Sequence, residues 1–134
     1  MAENRKLRNE ELERLDLDRY RSADKWPITV VLDNVRSAHN VGAVFRTSDA
    51  FRIRKIWLCG ITATPPHREI RKTALGATES VSWDYAKDSP ELIRRLQKAG
   101  IRCLAVEQAE GACPLQDFQP PAGQELALVF GHEV

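Results

Sequence analysis

The stretch that decides the fold is ITVVLDNVRSAHNVGAVFR, which occupies residues 28–46. It opens on a β-branched run, Ile28 to Leu32, which is typical of a strand buried on both faces of a sheet. Residues 41–51 then follow a helical period. The residues that share the apolar face of this helix are Val41, Val44, Phe45 and Ser48. The stretch therefore predicts a strand and a helix joined by a short polar loop.

Strands and helices alternate along the rest of the chain. Further strands are predicted at residues 56–59, 81–83, 101–106 and 126–130. A helix is predicted from Ser89, as its N-cap, to a stop at Gly100, and a basic segment is predicted to become helical from His67. This order favours the α/β class, a parallel sheet with helices on both faces. In such sheets ligands bind beyond the carboxyl ends of the strands.

The N-terminal 25 residues differ from the rest in their density of charge. We expect residues 1–25 to form a charged helical extension of the main domain, residues 26–134. The helix is predicted over residues 3–20, where four leucines would pack as a narrow apolar edge. These are Leu7, Leu12, Leu15 and Leu17.

Composition limits the class of protein. A chain of 134 residues with 43% hydrophobic residues fits one globular domain. No window reaches a membrane-spanning length of about 18 apolar residues, and the charged first residues do not resemble a secretory signal. The three cysteines have neither the number nor the spacing of a disulfide framework, so we expect reduced thiols and a cytoplasmic protein.

The net charge of +1 hides an uneven distribution. Residues 36–72 contain eight basic and two acidic side chains, a local net charge of +6. Attraction to a polyanion depends on the local field, so a neutral total does not exclude a nucleic-acid partner. The alternative is an ordinary solvated face.

Two segments combine polar side chains with strand ends. In the first, Asn40 is placed to cap the helix, and Gly42 would let another group approach its first turn. Arg46 lies roughly 140° from Val41 around the axis, off the apolar stripe and toward the strand-end crevice. The alternative is a capped helix whose surface arginine pairs with Asp49.

The second segment follows the last predicted strand. Gly131 would permit close approach of a ligand, and Glu133 would emerge at the same sheet edge as Arg46; the alternative is a strand-terminating turn. A third, weaker segment is the small-residue turn of residues 72–79. His39, His67 and His132 lack the spacing of metal ligands, and no phosphate-binding glycine loop or nucleophile elbow is present.

Three of these segments together resemble the SpoU (TrmH-like) RNA ribose methyltransferases of the SPOUT class. Residues 37–50 are similar to the first motif of that family, residues 72–81 to its middle segment and residues 126–133 to the start of its second motif. The motifs occur in the family's order across residues 26–134. The resemblance implies a parallel-sheet α/β fold with a trefoil knot, S-adenosylmethionine as methyl donor, a tRNA or rRNA substrate, and a homodimer without metal.

The resemblance also implies roles for individual residues. Asn40, Arg46 and Glu133 match catalytic positions, while Val106 and Gly131 match cofactor positions. His39 is expected to touch the substrate. The basic residues expected to contact RNA phosphates are Arg36, Arg52, Arg54, Arg68, Arg71 and Lys72.

The family's sequences continue into a third motif that forms the knot and closes the cofactor pocket, whereas this sequence stops at Val134. We therefore expect a truncated domain with an incomplete pocket and an unmade knot. Two other functions stay open: an RNA-binding protein of the same fold without activity, and a small α/β enzyme acting on a free nucleotide or metabolite.

Overall fold

The computed structural model describes residues 4–131. Two single 3₁₀ turns lie at Asn9–Leu12 and Leu115–Asp117. The strands are β1 (Trp26–Asp33), β2 (Ile53–Cys59), β3 (Trp83–Ala86), β4 (Arg102–Val106) and β5 (Leu126–Gly131). The helices are α1 (Leu17–Ser22), α2 (Ala38–Ala50), α3 (Arg68–Ala74), α4 (Ala77–Ser80) and α5 (Ser89–Lys98).

All five strands pair in parallel, in the order β3-β2-β1-β5-β4. The sheet therefore grows outward from β1 in one direction through β2 and β3. Strand β5, which comes last in the sequence, lies between β1 and β4. The predicted α/β class and parallel sheet are confirmed.

Helices cover both faces of the sheet, and each face has its own core. Val30, Leu32 and Ile56 pack with Phe45 of α2 and with Ile70 of α3. The alternate strand residues face the other way: Val31, Cys59 and Ala127 pack against Leu92 of α5. The predicted coverage of both faces is therefore confirmed. Two cores arise because the side chains of successive strand residues point to opposite faces of the sheet.

On the α2 face, the described helices leave part of β1 and β5 uncovered. Between α2 and β5 lies an apolar groove of about 380 Å³, which Val44, Phe51, Leu128 and Phe130 line. Phe51 is exposed there. None of the helices in residues 4–131 combines the length and apolarity needed to cross a membrane.

The predicted helix over residues 3–20 is wrong for the part that the structure describes. Only the 3₁₀ turn and the short helix α1 form, and between them Glu13 adopts a left-handed conformation with φ of 50°. Asp16 then starts α1 by accepting a hydrogen bond from the Arg19 backbone N–H. On a helical wheel the four leucines spread over an arc of about 220°, so no narrow apolar stripe stabilises a continuous helix.

Two predicted N-caps are also wrong, because in each case a residue upstream caps the helix instead. Ser37 Oγ accepts from the Asn40 N–H at 3.1 Å, so α2 begins a turn early. Asp88 caps α5 by accepting from the Glu91 N–H. The predicted strand 81–83 is displaced to β3 because Val81 ends α4 and packs into the core.

Candidate active site

The carboxyl ends of the central strands form one edge. Asp33 at the end of β1 lies opposite Cys59 of β2 on one side and Gly131 of β5 on the other. On the outer side of β5, Val106 pairs with Phe130. A crevice forms in α/β sheets where the strand order reverses direction, which here is between β1 and β5. The structure therefore brings the predicted residues Val106 and Gly131 to this edge.

The edge is open where these two residues lie. A Cβ atom built on Gly131 would have no neighbour within 4 Å among the described atoms. Val106 is 44% exposed, which is unusual for a strand valine. A ligand can thus approach the backbone of β5 and find an apolar contact on β4. Glu133 and His132 lie outside the described residues.

A network of side chains fixes the loop between β1 and α2. Asn34, with φ of 52°, accepts from the Ile61 N–H at 3.0 Å and donates to Asp33 Oδ1 at 3.0 Å. Thr62 Oγ1 donates to the Leu32 carbonyl and accepts from the Val35 N–H at 2.9 Å. The loop that leads to α2 is therefore tied to the loop that follows β2.

The Asp33 carboxylate accepts a second hydrogen bond. Ser89 Oγ, freed from capping α5, donates to Asp33 Oδ1 at 2.6 Å. The buried thiol of Cys59 also lies near this carboxylate. Burial, and then the charge of Asp33, raise the pKa of Cys59 to about 11, so this thiol is protonated and inert at neutral pH.

Gly42 marks the closest approach of two helices. A Cβ at residue 42 would lie 1.9 Å from Thr73 Oγ1 and 2.4 Å from the Ile70 carbonyl oxygen. Thr73 Oγ1 donates to the His39 carbonyl at 2.8 Å and so joins α3 to the first turn of α2. The group that approaches the first turn of α2 is therefore α3. The middle segment of the sequence, residues 72–79, supplies this contact.

Arg46 is exposed and lies eight residues after the start of α2, about 12 Å along its axis. It makes no ion pair within residues 4–131, and Asp49 instead accepts from Ser80 Oγ at 2.7 Å. Asn40 is exposed at the first turn, about 9 Å away along the axis and about 120° around it. The two side chains face different sectors of the helix.

The predicted RNA contacts fall into separate groups. Arg36 and His39 are exposed near the start of α2, and Arg68, Arg71 and Lys72 are exposed on α3. Lys72 pairs with Glu69 at 3.1 Å. Arg52 follows α2 at the amino end of the sheet, and Arg54 there forms an ion pair with Glu125. The described residues contain no group of three or more His, Cys, Asp or Glu side chains that could hold a metal ion.

Several residues of this region escape sequence reasoning. Thr62, Thr73 and Ser89 are hydroxyl residues whose partners are distant in the chain. One signal was available for Asn34: an Asp-Asn pair directly after a strand is turn chemistry, and asparagine tolerates the left-handed conformation.

The chain is similar to known proteins over most of its length. A family model described as the SpoU rRNA Methylase family matches residues 27–134. The 23S rRNA (guanosine-2'-O-)-methyltransferase RlmB of Pasteurella multocida is 31% identical over 123 residues, which are 92% of this chain and 49% of that protein. The protein of that name from Vibrio parahaemolyticus is 29% identical over 88% of this chain and 47% of its own length.

A solved structure of an AdoMet-bound rRNA methyltransferase from Sinorhizobium meliloti superposes with a TM-score of 0.72. The two chains are 26% identical, and the match covers 85% of this chain and 43% of that one. This chain spans about half the length of the curated relatives that it matches.

Proposed function

Because the chain belongs to the SpoU rRNA methylase family, we propose that it transfers the methyl group of S-adenosylmethionine to a ribose 2'-hydroxyl of ribosomal RNA. Support for the ribosomal substrate comes from the relatives, which are named as 23S rRNA methyltransferases. The observation that carries the proposal is Arg46: an exposed guanidinium, without an ion pair in the described chain, on the family's first motif. It lies about 12 Å along α2 from the end of that helix at the carboxyl edge of the sheet.

The open edge at β4 and β5 fits the cofactor. Gly131 leaves room beside its backbone, and Val106 offers an exposed apolar contact, as a bound adenosyl group requires. These two residues would hold it. S-adenosylmethionine supplies, when bound, a methyl group on a positively charged sulfur, which is already activated for displacement.

The residues of the chain then have to act on the ribose. As the new carbon–oxygen bond forms and the carbon–sulfur bond breaks, the 2'-hydroxyl loses its proton and negative charge develops on its oxygen. A positioned cation lowers the barrier by stabilising that charge. Arg46 keeps its own proton, because a guanidinium hardly deprotonates in a protein, and so acts as the stabilising cation.

Other motif residues orient the reactants. Asn40 lies on a different sector of α2 from Arg46, so we assign its amide to the ribose or a flanking phosphate and not to the guanidinium. Glu133 would orient Arg46 or accept the released proton, as the family resemblance implies. The contacts to RNA phosphates fall to Arg36, His39, Arg52, Arg68, Arg71 and Lys72. Arg54 would have to give up Glu125 to join them.

We extend the proposal to the setting of the reaction. Residues 26–134 form the methyltransferase domain, which agrees with the match over residues 27–134, and residues 1–25 form an extension that contributes to substrate binding. The protein acts in the cytoplasm as a homodimer. Its three cysteines are free, which suits a reducing compartment.

The test is methyl transfer from labelled S-adenosylmethionine to ribosomal RNA by the whole chain. We expect Arg46→Ala to lower the rate by about a hundredfold or more, as loss of a transition-state donor does. Arg46→Lys, which keeps the charge without the planar fork, should retain part of the rate. Calorimetric titration with S-adenosylmethionine tests whether the pocket of the unaltered chain is complete enough to bind the cofactor. Whatever affinity the unaltered chain has, both variants should keep it.

The matched control is Arg94→Ala on α5, on the opposite face of the sheet. Equal rates for Arg46→Ala and Arg94→Ala would contradict the assigned role. RNA binding by the unaltered chain without methyl transfer would favour the non-catalytic alternative, and transfer to free nucleosides would favour a small-molecule enzyme.

A further inference from the structure

Arg46 lines a groove that the sequence motifs do not describe. We call it the Arg46 groove: a cavity of about 570 Å³ between α2, the N-terminal segment 13–17 and the turn between α3 and α4. Its volume lies in the range of small-ligand sites. One wall comes from the extension that precedes residues 27–134, so the groove combines a residue of the family's first motif with a segment outside the match to the family model.

Hydrogen bonds hold the N-terminal wall in place. Tyr20 of α1 donates its hydroxyl to the Asp49 carbonyl at 2.9 Å and is itself buried. Arg21 donates to the Glu79 carbonyl at 2.6 Å through its terminal nitrogen. Because both acceptors lie on the helices that form the other walls, the groove is an ordered feature of the fold.

The arginines that line the groove leave it a small excess of positive charge. Arg14, Arg46 and Arg52 line it and form no ion pair within residues 4–131. Of its three carboxylates, Asp16 caps α1 and contacts Arg19, and Asp49 accepts from Ser80. When Asp16 is counted together with its partner Arg19, the three guanidinium groups outnumber the two remaining carboxylates, Glu13 and Asp49, by one. Such a site attracts an anion, and a phosphodiester matches the guanidinium fork.

Apolar side chains lie beside these charges. Leu15, Leu17 and Leu75 line the same groove and are exposed, Leu75 by 64%. Leu75 is held outward by the left-handed conformation of the turn, with φ of 51°. Exposed leucines next to unpaired arginines suit a ligand with an apolar face and negative phosphates, which describes a nucleotide.

We propose that the Arg46 groove binds a nucleotide of single-stranded RNA next to the ribose to be methylated. Arg14 and Arg52 contact its flanking phosphates, and Leu15 and Leu75 contact its base. The inference rests on the proposed function, since Arg46 is the catalytic residue of the groove. A groove of this size admits one unpaired nucleotide, and RNA loops present such nucleotides.

The test measures binding of the whole chain to a mixed-sequence single-stranded oligoribonucleotide of about ten nucleotides over a range of salt concentrations. Arg14→Ala and Arg52→Ala should each raise Kd about tenfold, the loss of one charge-assisted contact. Each should also reduce the slope of log K against log salt by about 0.7, the value for one phosphate contact in a single strand. Leu15→Ala should weaken binding and leave the slope unchanged, because it removes no charge.

Arg94→Ala again serves as the control, and RNA duplex of the same length should bind more weakly. The proposal is overturned if Arg14→Ala and Arg52→Ala have the same Kd and the same salt slope as Arg94→Ala. It is also overturned if duplex and single-stranded RNA bind with equal affinity. The same preparations are assayed for methyl transfer. If the unaltered chain methylates ribosomal RNA while the groove variants bind RNA normally, the groove proposal fails and the proposed function stands. If the groove variants bind RNA more weakly while the unaltered chain transfers no methyl group, the proposed function fails and the groove still binds RNA.

Discussion

A single hydrogen atom on Gly42 decides how closely α2 and α3 pack. The Ile70 carbonyl and Thr73 Oγ1 occupy the space that a side chain would need. Through this contact, α3 constrains the first turn of α2, which carries His39 and Asn40. The glycine is therefore a packing residue that supports the site without touching substrate.

We predict that Gly42→Ala destabilises the protein by about 1–3 kcal/mol, as overpacking does. Alanine improves helix propensity by about 1 kcal/mol, so the expected sign is opposite to that for an exposed helical glycine. The measurement is urea unfolding. Adding Thr73→Ala should restore only part of the loss, because the Ile70 carbonyl still blocks the new methyl group; full stability of Gly42→Ala alone would disprove the close contact.

Single residues were also where sequence reasoning was least accurate. The motif around Asn40 indicates a helix start, yet Ser37 caps it, because both residue types are good caps and only packing chooses between them. The exposure of Arg46 follows from the helical period, whereas its place in a groove depends on α1 and α4, which come from other parts of the chain.

At the scale of elements, α1 is a six-residue helix, too short to be stable alone. Its position depends on Tyr20, whose hydroxyl binds the Asp49 carbonyl and whose ring is buried. Burial, and then the charge of Asp49, raise the pKa of Tyr20, so the hydroxyl stays a donor at neutral pH.

We predict that Tyr20→Phe loosens α1 without unfolding the sheet. Loss of one hydrogen bond costs about 1 kcal/mol, which lowers protection of the α1 amides about fivefold in hydrogen exchange. Amides of α5 provide the internal reference and should be unchanged. An equal loss of protection in α5 would mean that Tyr20 supports the whole fold.

Four of the five described strands and the body of α5 could be predicted because their signals are local, whereas β3 begins later than expected. Residues 28–32 are mostly β-branched, and residues 126–130 are apolar throughout. Gly100 follows the end of α5 in the left-handed conformation that glycine favours. The extension at residues 4–22 could not, since α1 forms by docking on α2 and α4. Neither could the network of Asn34 and Thr62, whose partners belong to a different loop.

At the scale of the molecule, Cys59 reports on global unfolding. The free energy of unfolding should fall as pH rises from about 9 to about 11, because the folded state resists ionisation of this thiol and the unfolded state does not. Below pH 9 the thiol is protonated in both states and the contribution is complete. Comparison with Cys59→Ala at each pH isolates the effect, since other titrating groups cancel.

We expect the stability difference between the two proteins to shrink over that range. A thiol reagent at pH 8 should modify exposed Cys113 at once and Cys59 only at the rate of unfolding. A constant difference from pH 8 to 11, or rapid modification of Cys59, would contradict the burial.

The place of β5 has a consequence for synthesis on the ribosome. β1 and β4 meet only through β5, which pairs Ile28 and Arg102 with the same residue, Leu126. Until β5 has emerged, the nascent chain holds β1 with one open edge and β4 with no partner in the sheet. Unpaired edges of this kind invite aggregation. The order of the strands thus makes completion of the sheet a late event, and leaves a growing chain dependent on protection until β5, which joins β4 to the rest of the sheet, has emerged.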